Sequence, residues 1–289
     1  MSFAIFADSS CNLPRNLQER YQIQIIPFSY EQEGQLVPCP QYPDAFDGKT
    51  YYDYLRNGGR VSTSLLSVGQ LVECLSPALA RGEDVLAFVL SSGISGTYGS
   101  ALQAAELLED AYPGRRVLVV DSLGAGLGVG KLAVAGAEYR IQGLSLQETY
   151  DALLKDRDVL CQFFTVDDLK FLKRTGRISG VTATFGTMLQ IKPILRGDEE
   201  GHIVTLSKTR GRKKAISELA ELYRKRAVHP ENQSVFISHG DCPEDAQTLA
   251  RLVEEIAKPK ELVICLHEPL TGAHVGPGML ALFFFGDGR

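Results

Sequence analysis

Hydroxyl-bearing residues gather at four points where an apolar run of this chain ends or a loop begins. These are Asp8-Ser9-Ser10, Ser62-Thr63-Ser64, Ser91-Ser92-Gly93-Ile94-Ser95-Gly96-Thr97 and Asp121-Ser122. Hydroxyls can donate to an anion, and Gly93 and Gly96 let the backbone come close to one. The third group precedes a helical pattern, whose N-terminus offers unpaired N–H groups and suits a carboxylate or phosphate. The plainer role for Ser95 or Thr97 is to cap that helix. A nucleophilic serine is a third reading. The GxSxG elbow needs its last glycine two residues past the serine, whereas Gly96 directly follows Ser95. A triad built on Ser92 or Ser95 would have to draw in His274 and Asp8.

The Gly-rich stretch Gly124–Lys131 fits neither phosphate-binding fingerprint. A Walker loop counted back from Gly130 has Ala125 at its first glycine and Leu132 after its lysine. Val129 and Lys131 stand where a dinucleotide fingerprint needs its third glycine. A tight turn and a closely packed helix account for the glycines. No histidine pair has metal-binding spacing. His274 sits in Ala273-His274-Val275-Gly276-Pro277-Gly278, where Gly and Pro constrain the backbone around an imidazole that could donate to an anion. Arg177 follows Gly176, a natural helix C-cap, and its planar guanidinium could take a carboxylate or phosphate, or simply a surface ion pair.

The elements that must position these groups follow from hydrophobic patterning. Strands are predicted over Phe3–Ala7, Ile23–Tyr30, Val85–Leu90 and Val117–Val120. Helices are predicted over 14–21, 67–81, 96–111 and 128–142, and a polar loop over 31–49. Strands alternating with helices imply a mostly parallel sheet. Its ligand-binding loops should lie beyond the carboxyl ends of the strands. The second half differs. Apolar runs at 189–195 and 202–207 flank the polar turn Gly197–Gly201 and predict a hairpin, which parallel units do not use. Two domains are expected, a parallel α/β domain over 1–160 and a mixed-sheet α/β domain over 161–289.

Composition narrows the function. Of 289 residues, 44% are hydrophobic and 22% charged, the balance of a folded globular chain. The net charge of −5 argues against a general nucleic-acid binder. No apolar run reaches membrane-spanning length, and the opening MSFAIFADSS lacks a basic n-region, so a cytoplasmic protein is expected. The six cysteines are widely spaced without a CxxC pair, which predicts reduced thiols.

Taken in order, several segments resemble the DegV family of bacterial lipid-binding proteins. They are FADSSCNLP, STS, SSGISGTYGSA, VVDSLGAGLGVG, DDLKFLKRTGRIS, LQIKPIL, SHGD and HVGPG, which together span essentially the whole chain. The resemblance implies a three-layer parallel-sheet domain followed by a mixed-sheet domain, with one long-chain fatty acid buried between them. It implies that the carboxylate is held by hydroxyls of the TS and SSGISG loops. Onto this chain that carries Thr63 and either Ser92 or Ser95, flanked by Gly93 and Gly96, with Arg177 and His274 near the head group. It implies no catalytic residue, metal or cofactor, and a separate ATP-dependent fatty acid kinase subunit as partner. The chain departs from the family pattern at Leu65-Leu66, where Gln-Pro is usual, and at Gly126, where a second serine is usual. The rival readings are a serine hydrolase acting on a lipid or acyl ester and a phosphoryl-transfer enzyme.

Overall fold

A computed structural model describes residues 3–178 and 191–289. In chain order its elements begin with β1 (Phe3–Asp8), α1 (Arg15–Tyr21), β2 (Ile23–Ile26), β3 (Ser29–Gln32), β4 (Gln35–Pro38), α2 (Gly48–Arg56) and β5 (Val61–Thr63). They continue with α3 (Val68–Ala80), β6 (Asp84–Val89), α4 (Thr97–Ala111), β7 (Val117–Asp121), α5 (Leu127–Ile141) and α6 (Leu146–Val159). The second half holds β8 (Leu160–Thr165), α7 (Lys170–Arg174), β9 (Ile191–Gly197), β10 (Ile203–Arg210) and α8 (Arg212–Arg226). It ends with β11 (Ser234–His239), α9 (Pro243–Ile256), β12 (Glu261–Leu266), α10 (Pro269–Val275) and β13 (Leu280–Phe285).

The first sheet is fully parallel, in the order β2-β1-β6-β7. Alternate residues of its strands face opposite ways, as the two-residue period of a strand requires. Phe3, Ile5, Leu86, Phe88 and Val120 pack toward α1, α5 and α6, while Ala4, Phe6, Val85, Ala87 and Val119 pack toward α3 and α4. Burial on both faces explains why these strands read as unbroken apolar runs. At their carboxyl ends, Asp8 Oδ2 accepts the Leu90 N–H at 2.7 Å and ties β1 to the loop after β6.

The second sheet is mixed, in the order β10-β9-β8-β13-β11-β12. The expected hairpin is present, with β9 and β10 antiparallel around 198–202. Leu189 and Gln190 of the predicted strand, like Ser179, lie outside the described residues. One face of this sheet, including Phe163, Ile194, Ile237, Leu280, Leu282 and Phe284, is covered by α8 and α9. The other face carries Gln162, Phe164, Ala281 and Phe283 and turns toward the first domain. Helix α5 lies between the two sheets and is buried from Leu127 to Ala137, so it shows no single apolar stripe.

Two expectations are corrected. Residues 23–30 are not one strand, because Pro27 has no N–H for a ladder and the run breaks into β2 and β3. The segment 31–49 is not all loop. It includes the end of β3 and all of β4, which belong to the small antiparallel sheet β4-β3-β5, and the start of α2.

Candidate functional site

Between the carboxyl ends of the first sheet and the free face of the second lies an apolar cavity of about 440 Å³. The loops after β6 and β7 supply Leu90, Ile94, Ser95 and Gly96, and Leu123 to Ala125. The second sheet supplies Phe164, Ala281 and Phe283, and α10 supplies Leu270, Thr271, His274 and Val275. A cavity of this size with few polar groups is the usual form of a small-ligand site.

Its polar end is assembled from three elements. Thr63 ends β5, and its Oγ1 is 2.9 Å from Nε2 of His274, near the end of α10. Burial holds His274 down to about 4, and the nearby Arg177 and Arg174 guanidinium groups push in the same direction. The imidazole is therefore neutral near pH 7. Its Nδ1 is buried and has no hydrogen-bond partner among the described residues. Arg177 follows α7, donates to the Thr175 carbonyl, and lines both the cavity and an adjoining surface cleft that includes Arg60 and Arg174. A buried anion needs such pairing, since an uncompensated charge would not leave water.

Ser95 lines the same cavity from the loop before α4. Its Oγ accepts the Thr97 N–H at 3.3 Å and lies 3.0 Å from Thr97 Oγ1, while Gly96 occupies the N-cap position. Thr97 Oγ1 in turn accepts the Leu66 N–H at 3.3 Å and so fixes the 63–66 loop against the helix. Ser92 is placed differently. It is exposed, and its N–H donates to Asp121 Oδ1 at 3.1 Å. Gly93 is also off the cavity wall. A Cβ there would lie 2.6 Å from the Glu200 carbonyl, so it serves the close approach of the β9–β10 turn, to which Ser91 Oγ donates at Gly201 O. Thr63, Ser95, Gly96, Arg177 and His274 thus line one cavity, and Ser92 and Gly93 do not.

The triad proposed from sequence is not assembled. Asp8 accepts from Ser10 and Leu90, and among the described residues His274 Nδ1 has no hydrogen-bond partner to orient it. Among the described residues no group of three His, Cys, Asp or Glu is placed to hold a metal. No helix among them is long and apolar enough to cross a membrane. All six cysteines are free thiols.

Sequence reasoning missed several residues of the site. Gln162, His267 and Thr271 line the cavity, and the last two are linked at 2.7 Å between Nε2 and Oγ1. His267 is buried, which holds it down to about 3, and its Nδ1 is 3.2 Å from Ser238 Oγ. Thr271 Oγ1 donates to Glu268, whose carboxylate caps α10 by accepting the Leu270 and Thr271 N–H groups. The cap signal at Glu268-Pro269 was available in the sequence. Nothing local to Gln162 distinguishes it from any strand glutamine.

Residues 2–287 match a family described as "Uncharacterised protein, DegV family". A DegV domain-containing protein of Clostridium perfringens is 36% identical over 289 residues, covering 99% of this chain and 98% of its own. A DegV family protein from Thermus thermophilus, whose structure is described as one of fatty acid binding, aligns with TM-score 0.88 at 28% identity, covering 99% of this chain and 100% of its own. DegV of Bacillus subtilis, described as a fatty acid binding protein, aligns with TM-score 0.82 at 28% identity over 98% of both chains.

Proposed function

This chain belongs to the DegV family, and from that footing we propose that it binds one long-chain fatty acid in the cavity between its domains, 1–160 and 161–289. The observation that carries the reading is an apolar cavity lined by a neutral, half-unpaired histidine in contact with a threonine, together with a serine and an arginine. Each methylene removed from water contributes about 0.8 kcal/mol, so an acyl tail along the apolar wall supplies most of the affinity. The carboxylate takes hydrogen bonds from Thr63, Ser95 and the Gly96 end of α4, with His274 and Arg177 beside it. Two solved relatives described as fatty acid binders support the same reading.

In this proposal the protein is a non-catalytic, cytoplasmic carrier. It presents the carboxylate to a separate ATP-dependent kinase, which forms an acyl-phosphate. Arg177, where the cavity meets the surface cleft, meets the added charge of that product.

Native mass spectrometry of the purified protein, followed by organic extraction, tests the binding. One bound mass in the long-chain fatty acid range, released on denaturation, is expected. A protein that is empty and takes up no added fatty acid overturns the reading. Thr63→Val removes one hydroxyl and keeps the shape, so affinity should fall about tenfold, the equivalent of one hydrogen bond to a charged group. Labelling by a fluorophosphonate probe at Ser95 would favour the hydrolase instead.

A further inference from the structure

The cavity has a second polar point, away from the carboxylate end. Gln162 lines it from β8, is only 9% exposed, and its Nε2 has no hydrogen-bond partner among the described residues. The turn into α5 is shaped around this side chain. A Cβ on Gly124 or Gly128 would lie 2.2 or 2.0 Å from Gln162 Oε1, so both glycines leave room for the carboxamide. His267 flanks the same turn, with its Cε1 2.9 Å from where a Cβ on Gly126 would be. The imidazole is already engaged by Thr271 and Ser238, whereas the Gln162 N–H is not.

Strand register gives the position. Gln162 pairs with Phe283. Phe283 is four residues along the chain from Met279, a cavity residue just ahead of β13 and five positions after His274, and four extended residues span about 13 Å. Ala281, between them, also lines the cavity. A ligand with its carboxylate at Thr63 and His274 therefore passes Gln162 with the middle of its tail.

Resting on the fatty-acid reading above, we propose that the preferred ligand is a long-chain acid with a hydroxyl group in the middle of its acyl chain, and that Gln162 is the residue that selects it. A buried, unpaired amide N–H is a standing penalty that a plain methylene chain cannot relieve. A hydroxyl both accepts and donates, so it answers the carboxamide in either orientation. The same group placed elsewhere along the tail would face Phe164, Ala281 or Phe283 and lose its own hydrogen bonds to water.

Competition between unsubstituted octadecanoic acid and octadecanoic acid hydroxylated at mid-chain, read by native mass spectrometry on delipidated protein, tests this. The hydroxy acid is expected to win by about three- to tenfold on the wild type, the range of one net hydrogen bond. An isomer hydroxylated beside the carboxyl group should gain nothing. Gln162→Leu and Gln162→Met should each reverse the preference, and two variants guard against one failing to fold. Equal competition on the wild type, the result if a water alone satisfies Gln162, overturns the proposal. So does a preference that survives in both variants. If none of the three acids binds, the fatty-acid reading fails first and this one with it.

Discussion

Ala281→Phe is expected to weaken octadecanoic acid binding on the order of a hundredfold while the protein stays folded. Ala281 sits on β13 between Leu280 and Leu282, which face the opposite core and hold the strand in place. Its own side chain faces the cavity, flanked across the sheet by Phe164 and Ser238. A benzyl group entering a space of about 440 Å³ takes the room of several methylenes. Losing four of them, at about 0.8 kcal/mol each, removes about 3 kcal/mol. Titration with a fluorescent fatty acid, displaced by octadecanoic acid, reads the affinity, and a thermal melt reads the fold. Unchanged affinity would mean that the ligand does not lie along β13.

The second large effect concerns Lys131, the charged residue inside the buried stretch of α5. It is 4% exposed, donates to the Ser234 carbonyl at 2.5 Å, and lies 4.2 Å above the Phe285 ring. Burial brings it down to about 7 from 10.5, with Glu138 and Asp156 pulling weakly the other way. At this position the unfolded chain therefore binds more protons than the folded one between about pH 7 and 10.5, and the contribution of Lys131 to stability rises with pH across that window. Below pH 7 the penalty is fully present. Each pH unit within the window is worth about 1.4 kcal/mol. Lys131→Met keeps the long stem and removes the charge. Urea unfolding of wild type and variant at pH 7.5 and 9.5 should show their stability difference shift by about 2–3 kcal/mol in favour of the wild type. Parallel pH dependences would show that Lys131 does not titrate in this range.

Much of this organisation was legible because it rests on local rules. Parallel strands buried on both faces are apolar throughout, and Val85–Val89 and Val117–Val120 could hardly be anything else. The polar turn at 197–201 declared a hairpin. The SSGISG loop declared a helix N-terminus facing the strand ends. What stayed hidden depends on partners distant in sequence. That Ser95 lines the cavity and Ser92 does not follows from Asp121 and the 197–201 turn, which hold the first part of the loop away from it. The space around the Gln162 side chain depends on Gly124 and Gly128, far earlier in the sequence. β4 and β5 are short strands of a small sheet, with exposed residues such as Leu36, and carry little apolar signal of their own.

The position of β13 bears on how the chain assembles. It is the last strand in sequence, yet it lies between β8 and β11 and joins the two parts of the mixed sheet. Just ahead of it, α10 places Leu270 and Ala273 in the core of the first domain, and Tyr51 and Tyr52 donate to the carbonyls of Pro269 and His267. A nascent chain emerging from the ribosome can close β1, β6 and β7 early, but it leaves β8 without its central neighbour and the first domain without part of one wall. Contacts so far apart in sequence are slow to form. A chain of this topology is expected to complete both domains together, when this segment docks, against the usual order of one domain after the other during synthesis.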